Sequence, residues 1–95
     1  MSVLSNDEID RRLSALPGWT RVDATLQRTV ECGDFNGALR FVNAVAEAAN
    51  ELDHHPDLTW SWGTVTLSLS SHDAGGVTER DFALAARIDA LRPPG

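Results

Sequence analysis

The segment ELDHHPDLTW, residues 51–60, sets His54 and His55 side by side in front of Pro56, and the chain has one further histidine, His72. Histidine is the side chain whose ordinary pKa, about 6.5, lets it both give and take a proton near neutrality. Two or three imidazoles in one pocket can divide that work, one protonating a leaving oxygen while another removes a proton elsewhere on the substrate. Around His72 runs SSHDAGG, a turn whose backbone N–H groups could orient a polar heterocycle. A single surface histidine is more often inert than catalytic, so the chemistry depends on whether the three converge. A metal site is the competing reading, because three histidines can hold a catalytic zinc with water as fourth ligand. Adjacent side chains on extended backbone point to opposite faces, so His54 and His55 grip one ion poorly, and no metal is expected.

The positioning elements follow from patterning. Ser5 and Glu8 have capping-box spacing, and Ile9, Leu13 and Leu16 continue as one helical stripe that Pro17-Gly18 stops. WTRV and ATLQRTVEC read as two short strands, with Trp19 a core anchor. Asp34 caps a long helix, about residues 34–53, whose stripe is Ala38, Leu39, Val42, Val45, Ala46, Ala49 and Leu52. Glu47 and Glu51 read as solvated charges on it. Pro56 cannot continue a helix and pushes His55 out of helical dihedrals, so the histidine pair sits on the helix exit. A hairpin comes next. A two-residue loop at Gly63-Thr64 would pair Trp62 with Val65, Trp60 with Leu67 and Leu58 with Leu69, burying all six on one face. The same ladder, extended, sets His55 opposite His72, bringing all three histidines to one end of the hairpin. Thr78 with Asp81 caps a last helix that buries Phe82, Ala85, Ile88 and Leu91. The order α-β-β-α-β-β-α is simplest as an α+β fold, an antiparallel sheet with helices packed on one face.

Composition narrows the function. Ninety-five residues suit one domain, residues 1–95. A net charge of −6, eight arginines against fourteen acids and no lysine, offers no basic cluster for nucleic acid. No stretch reaches the ~20 apolar residues of a membrane span, and the N-terminus lacks a signal-peptide pattern, so a cytoplasmic protein is expected, with a small molecule or another protein as partner. Cys32, the single cysteine, reads as a packing residue at a strand end. The long helix carries surplus apolar residues, Phe41 and Ala48, beyond its main stripe. With LQRTVEC expected as a free edge strand, this points to at least a homodimer joined edge to edge.

HHP at residues 54–56, an aromatic at Trp62, His72, Asp81, the run SHDAGGVTERD from Ser71 to Asp81, PGW at residues 17–19 and DFNGALRFVNAVAEAANELD before the histidines together resemble the pterin-4a-carbinolamine dehydratase family over nearly the whole chain. The resemblance implies dehydration of 4a-hydroxytetrahydropterin to quinonoid dihydropterin, in tetrahydrobiopterin-type recycling, with no metal or organic cofactor. It implies His54 and His72 as the acid–base pair and His55 orienting the pterin, with Pro56, Ser71, Asp73 and Asp81 completing the site. It also implies a four-stranded antiparallel sheet with three helices on one face, and dimers that in some members join into tetramers through the long helix. One position departs: the family usually has an acid four residues before the first histidine, where this chain has Asn50. An amide can accept a hydrogen bond but cannot favour an imidazolium by charge. The alternative function is therefore a catalytically weak member serving as an oligomeric binding or assembly module.

Overall fold

The computed structural model describes residues 2–93. Its elements run α1 (Asn6–Leu13), β1 (Thr20–Val22), β2 (Thr25–Glu31), α2 (Phe35–Leu52), β3 (Asp57–Ser61), β4 (Thr64–Leu69) and α3 (Glu79–Leu91). The four strands form one antiparallel sheet in the order β1-β2-β4-β3. Leu26, Val30, Val65, Leu67 and Leu69 point to one face and join Ile9, Phe41, Val45, Leu84 and Ile88 of the helices in a single core. Thr29 and Thr66 occupy the other face, their hydroxyls 3.1 Å apart. The α+β order and the antiparallel sheet are those expected.

Three details differ from the sequence-based expectation. The first is the hairpin register, which is shifted by two residues: Ser61 opposes Thr64, Trp60 opposes Val65 and Leu58 opposes Leu67. The turn is therefore Trp62-Gly63. Gly63 is needed for close approach, since a Cβ there would lie 2.8 Å from the Asp34 nitrogen, and its carbonyl accepts a hydrogen bond from the Cys32 N–H at 2.7 Å. That contact with the start of α2 sets where the chain reverses. A two-residue shift preserves which face each side chain takes, but it ejects Trp62 from the ladder. Trp62 sits in the turn at φ 51° with 69% of its surface exposed.

The second difference is the edge. β2 lies inside the sheet, paired to both β1 and β4, so the free edges belong to β1 and β3. Leu58 and Trp60 consequently keep part of their surface open, while Leu67 and Val65 opposite them are sealed. The third is the rotation of α2. Phe41 and Ala48 are core residues, whereas Leu39 and Ala46 face outward. The buried line Ala38, Phe41, Val45 and Ala48 alternates spacings of three and four, with Ala49 four residues after Val45, the pattern of one helix face.

The caps hold as read, with one exception. Asp34 accepts from the Gly37 N–H at 2.7 Å, and Thr78 with Asp81 forms a complete capping box. Ser5 accepts from the Glu8 N–H at 3.2 Å, but the Glu8 carboxylate turns to Arg11 and Arg12 instead of closing the box. Arg12 also grips both oxygens of Glu79 at 2.6 Å, fastening α1 to the first turn of α3. Hydrogen bonding to Arg12 holds both the Glu8 and the Glu79 carboxyls below the usual carboxylate range.

Candidate functional site

The end of α2 aims the histidines. Asp53 adopts the left-handed conformation at φ 50°, its N–H reaching the Asn50 carbonyl, and the His54 N–H returns 3.0 Å to the Ala49 carbonyl. This double closure is the Schellman arrangement, which satisfies carbonyls that the last helical turn leaves open. Aspartate tolerates the left-handed region better than most side chains. The chain leaves the helix with His54 turned inward and 7% exposed. His55 stays outside, its Nε2 2.9 Å from the Asn50 side-chain oxygen.

His54 Nε2 meets Asp81 Oδ1 at 2.6 Å. Asp81 is fully buried, and its other oxygen accepts from the Ser71 hydroxyl and from the Thr78 N–H, each at 2.9 Å. Ser71 and Thr78 hydroxyls are 2.7 Å apart. Three donors converge on one carboxylate, so Asp81 acts as the acceptor and His54 Nε2 carries the hydrogen. That fixes the tautomer and leaves Nδ1 as the nitrogen available to a substrate. A capping residue of α3 thus doubles as the partner of a buried imidazole.

His72 arrives from the other side. After β4, Ser71 and Gly76 form an isolated bridge, and the Ala74 and Gly75 N–H groups return to the Ser71 carbonyl, Gly75 taking φ 82°. This tight loop holds His72 and Asp73 outward. His72 is 80% exposed, and its Nε2 lies 3.9 Å from Asp57 Oδ2. The three histidines line one open cleft of about 320 Å³ together with Asp53, Ser70, Asp73 and Arg80. Convergence therefore holds, but not through the extended ladder: β3 starts at Asp57, opposite Ser68, and loops bring His55 and His72 together. Ser71 and Asp81 lie beneath the cleft and reach it through His54; Pro56 is not on its wall.

Arg80, Asp53 and Ser70 are lining residues that the sequence reading passed over. Arg80 Nη2 donates to the Asp53 carbonyl at 2.7 Å, so it also braces the left-handed end of α2. A second cavity, about 260 Å³, is lined by Cys32, Gly37, Arg40, Phe41, Leu91 and Pro93. It brings together no acid–base pair, and burial pushes the Cys32 thiol above its usual range, which makes it a poorer nucleophile. Among the described residues no three His, Cys, Asp or Glu side chains are grouped to hold one metal ion.

The profile of the family "Pterin 4 alpha carbinolamine dehydratase" matches residues 2–91. The chain belongs to the pterin-4a-carbinolamine dehydratase family. A relative from Acidobacterium capsulatum that bears the family's name is 50% identical over 91 residues, covering 96% of this chain and 99% of its own length. One from Mycolicibacterium smegmatis is 46% identical over 91 residues, covering 96% and 97%. A crystal structure described as a transcriptional coactivator/pterin dehydratase from Brucella melitensis superposes with a TM-score of 0.93 at 33% identity, covering 97% of this chain and 100% of the other. A pterin dehydratase-like protein described as a RuBisCO assembly factor in the alpha-carboxysome shares the fold, with a TM-score of 0.65 at 24% identity over 81% of this chain and 89% of its own. Asn50 supplies His55 with a neutral hydrogen-bond partner.

Proposed function

We propose that this member of the family dehydrates 4a-hydroxytetrahydropterin to quinonoid dihydropterin, as a cytoplasmic step in tetrahydrobiopterin-type cofactor recycling. The observation that carries the proposal is the pairing of unlike histidines on one cleft: His54 buried and fixed by Asp81, His72 exposed across from it. In this reaction the bond from carbon 4a to the hydroxyl oxygen breaks, a proton joins that oxygen as water leaves, and a ring nitrogen gives up its proton. His54, through Nδ1, and His72 divide these two transfers, and His55 orients the ring. Ser71 and Asp81 act by holding His54. Asp73 meets the substrate directly, and Pro56 keeps the chain extended beside it. The chemistry asks for no metal or organic cofactor, so chelator treatment is expected to leave the rate unchanged; loss of activity restored by zinc would revive the metal reading. We place the working form as a homodimer or tetramer, joined at the β3 edge rather than at β2. The test is a stopped assay of 4a-hydroxytetrahydropterin dehydration by the purified protein, expected well above the spontaneous rate.

A second reading is a catalytically weak member working as an oligomeric binding or assembly module. Asn50 beside His55 favours it, as do the exposed apolar side chains of Phe35, Leu39, Leu58 and Trp62. A dehydration rate indistinguishable from the spontaneous one would favour this reading.

A further inference from the structure

Every residue lining the histidine cleft is polar or charged. A pocket for a planar heterocycle is walled mostly by apolar and aromatic groups, with a few polar ones to fix orientation. The cleft therefore has groups for the edges of a ring and none for its faces. The most exposed aromatic ring of the described residues stands at the other end of the hairpin. Trp62 is 69% exposed in the turn and holds φ 51°, a left-handed conformation disfavoured for a bulky side chain. Six residues of extended chain, about 20 Å, separate it from Pro56, the neighbour of His55. Trp62 is thus out of reach of its own cleft. β3 joins the two ends, and its edge is free. Across the two-residue turn Ser61, Thr59 and Asp57 exchange hydrogen bonds with β4, so Leu58 and Trp60 direct their N–H and C=O groups to the open edge. No lysine or proline within the strand blunts that edge.

We infer that two copies pair β3 to β3 about Thr59, and that Trp62 of the partner subunit supplies the apolar wall of the cleft, setting its indole against one face of the bound ring. The inference rests on the dehydratase reading and on association at the β3 edge, and adds that each cleft is completed by the other copy. The strand is self-complementary in this register, as a two-fold interface requires. Leu58 meets the partner's Trp60, Asp57 meets the partner's Ser61, and all five residues of β3 are paired. A register two residues away leaves part of the strand unpaired. Asp57 is the one charged residue of β3, and here the two copies of it stand about 14 Å apart, beyond the ~8 Å screening length. One step further along the ladder, Pro56 lies beside the partner's Trp62. Antiparallel pairing thus brings the exposed apolar end of one hairpin to the polar end of the other.

Geometry is tested by cross-linking. Asp57→Cys with Ser61→Cys replaces two exposed side chains that lie about 14 Å apart within one chain, too far to bridge, and opposite each other across the interface. Mild oxidation is expected to give covalent dimers from the double variant and none from Asp57→Cys alone, whose cysteine faces a serine. Cys32 is buried with its thiol held above its usual range and does not compete. A double variant that stays monomeric, or a single variant that cross-links equally, would overturn the pairing. Function is tested by complementation. Trp62→Leu keeps apolar bulk at the interface and removes the indole, so kcat/KM for 4a-hydroxytetrahydropterin is expected to fall about tenfold. Refolded in equal amounts with His72→Ala, it forms mixed dimers in which one cleft has both its histidines and an indole from the other copy. About a quarter of native activity is expected, because half of the dimers are mixed and each holds one complete cleft. About one-twentieth, the mean of the two variants alone, would overturn the shared wall. An inactive native protein whose double variant cross-links would overturn the dehydratase reading, and the ring-facing role of Trp62 with it, while the pairing of the two copies stands.

Discussion

The two ends of the β3–β4 hairpin are built on opposite principles. At the open end, polar groups are buried: His54, Asp81, Ser71 and Thr78 lie under the surface and satisfy one another. At the turn end, apolar groups are exposed: Phe35 stacks on Trp60 with ring centroids 4.6 Å apart, and Trp62 lies 6.3 Å from Phe35, mostly in solvent. A buried hydrogen-bonded network holds each member in one orientation, because any other orientation leaves a desolvated group unpaired. That is what an acid–base site needs. An exposed aromatic cluster has no such penalty for moving and gains by being covered, which suits association. The comparison teaches that one short hairpin can carry a buried polar end and an exposed apolar end, with β3 as the shared free edge.

The sharpest way to break this contrast is Asp81→Ala. It leaves His54 Nε2, the Ser71 hydroxyl and the Thr78 N–H facing an apolar void, so a stability loss of about 3 kcal/mol or more is expected by denaturant unfolding. Turnover should drop by at least about 10²-fold, since His54 loses its fixed orientation. An unchanged denaturation midpoint would mean that the buried end does not depend on its network.

His72→Ala separates chemistry from folding. With its imidazole in solvent, its removal should change stability by no more than about 0.5 kcal/mol while lowering turnover roughly 10²-fold. Equal dehydration rates in the variant and the native protein would take His72 out of the mechanism.

Trp62→Gly tests the other end. Glycine removes the ~1–2 kcal/mol cost of a left-handed side chain but gives up the contact with Phe35 and adds backbone freedom to the unfolded chain. Monomer stability should therefore stay within about 1 kcal/mol. Self-association, measured by sedimentation at micromolar concentration, should weaken clearly. A native protein that sediments at its monomer mass of 10.3 kDa would leave the apolar end without a partner of its own kind.

The smallest effect concerns the Arg12 clamp that fixes the start of α3. Hydrogen bonding to Arg12 holds Glu8 and Glu79 below the usual carboxylate range in the folded chain. A carboxyl lowered on folding adds stability that is fully present above its unfolded pKa and disappears as pH falls through the folded value. Arg12→Ala should therefore lower the melting temperature slightly at pH 7, and the gap to the native protein should close as pH falls below the usual carboxylate range. A gap that stays constant with pH would mean that the clamp acts by packing, with Arg12 over the Phe82 ring at 5.5 Å, and not by charge.

How much of this was legible before the fold depends on the range of each interaction. Local signals read correctly: the Asp34 and Thr78 caps, the strand alternation and the Pro56 exit each depend on neighbours within a few residues. The hairpin register did not, because Gly63 as a turn residue can stand at either position of a two-residue loop. Only its contact with Asp34 and the Cys32 N–H decides between them. The long helix was rich enough in apolar residues to fit two overlapping stripes, and packing against β4 and α3 chose the one through Phe41 and Ala48.

The sequence by itself determined the element order and singled out His54, His55 and His72 as candidates, because residue type and short-range periodicity carry that information; their meeting at one cleft comes from loops and not from the ladder expected of the hairpin. Tertiary structure alone decided that His54 is buried while His72 is exposed, that Asp81 turns from a helix cap into the partner of an imidazole, and that Arg80 reaches the cleft. It also decided that β3, and not β2, is the free edge. Each of these depends on contacts between residues far apart in the chain, such as the 2.6 Å bond from His54 to Asp81. Such contacts are settled by which faces can be buried together, a property of the packed whole that no single segment carries.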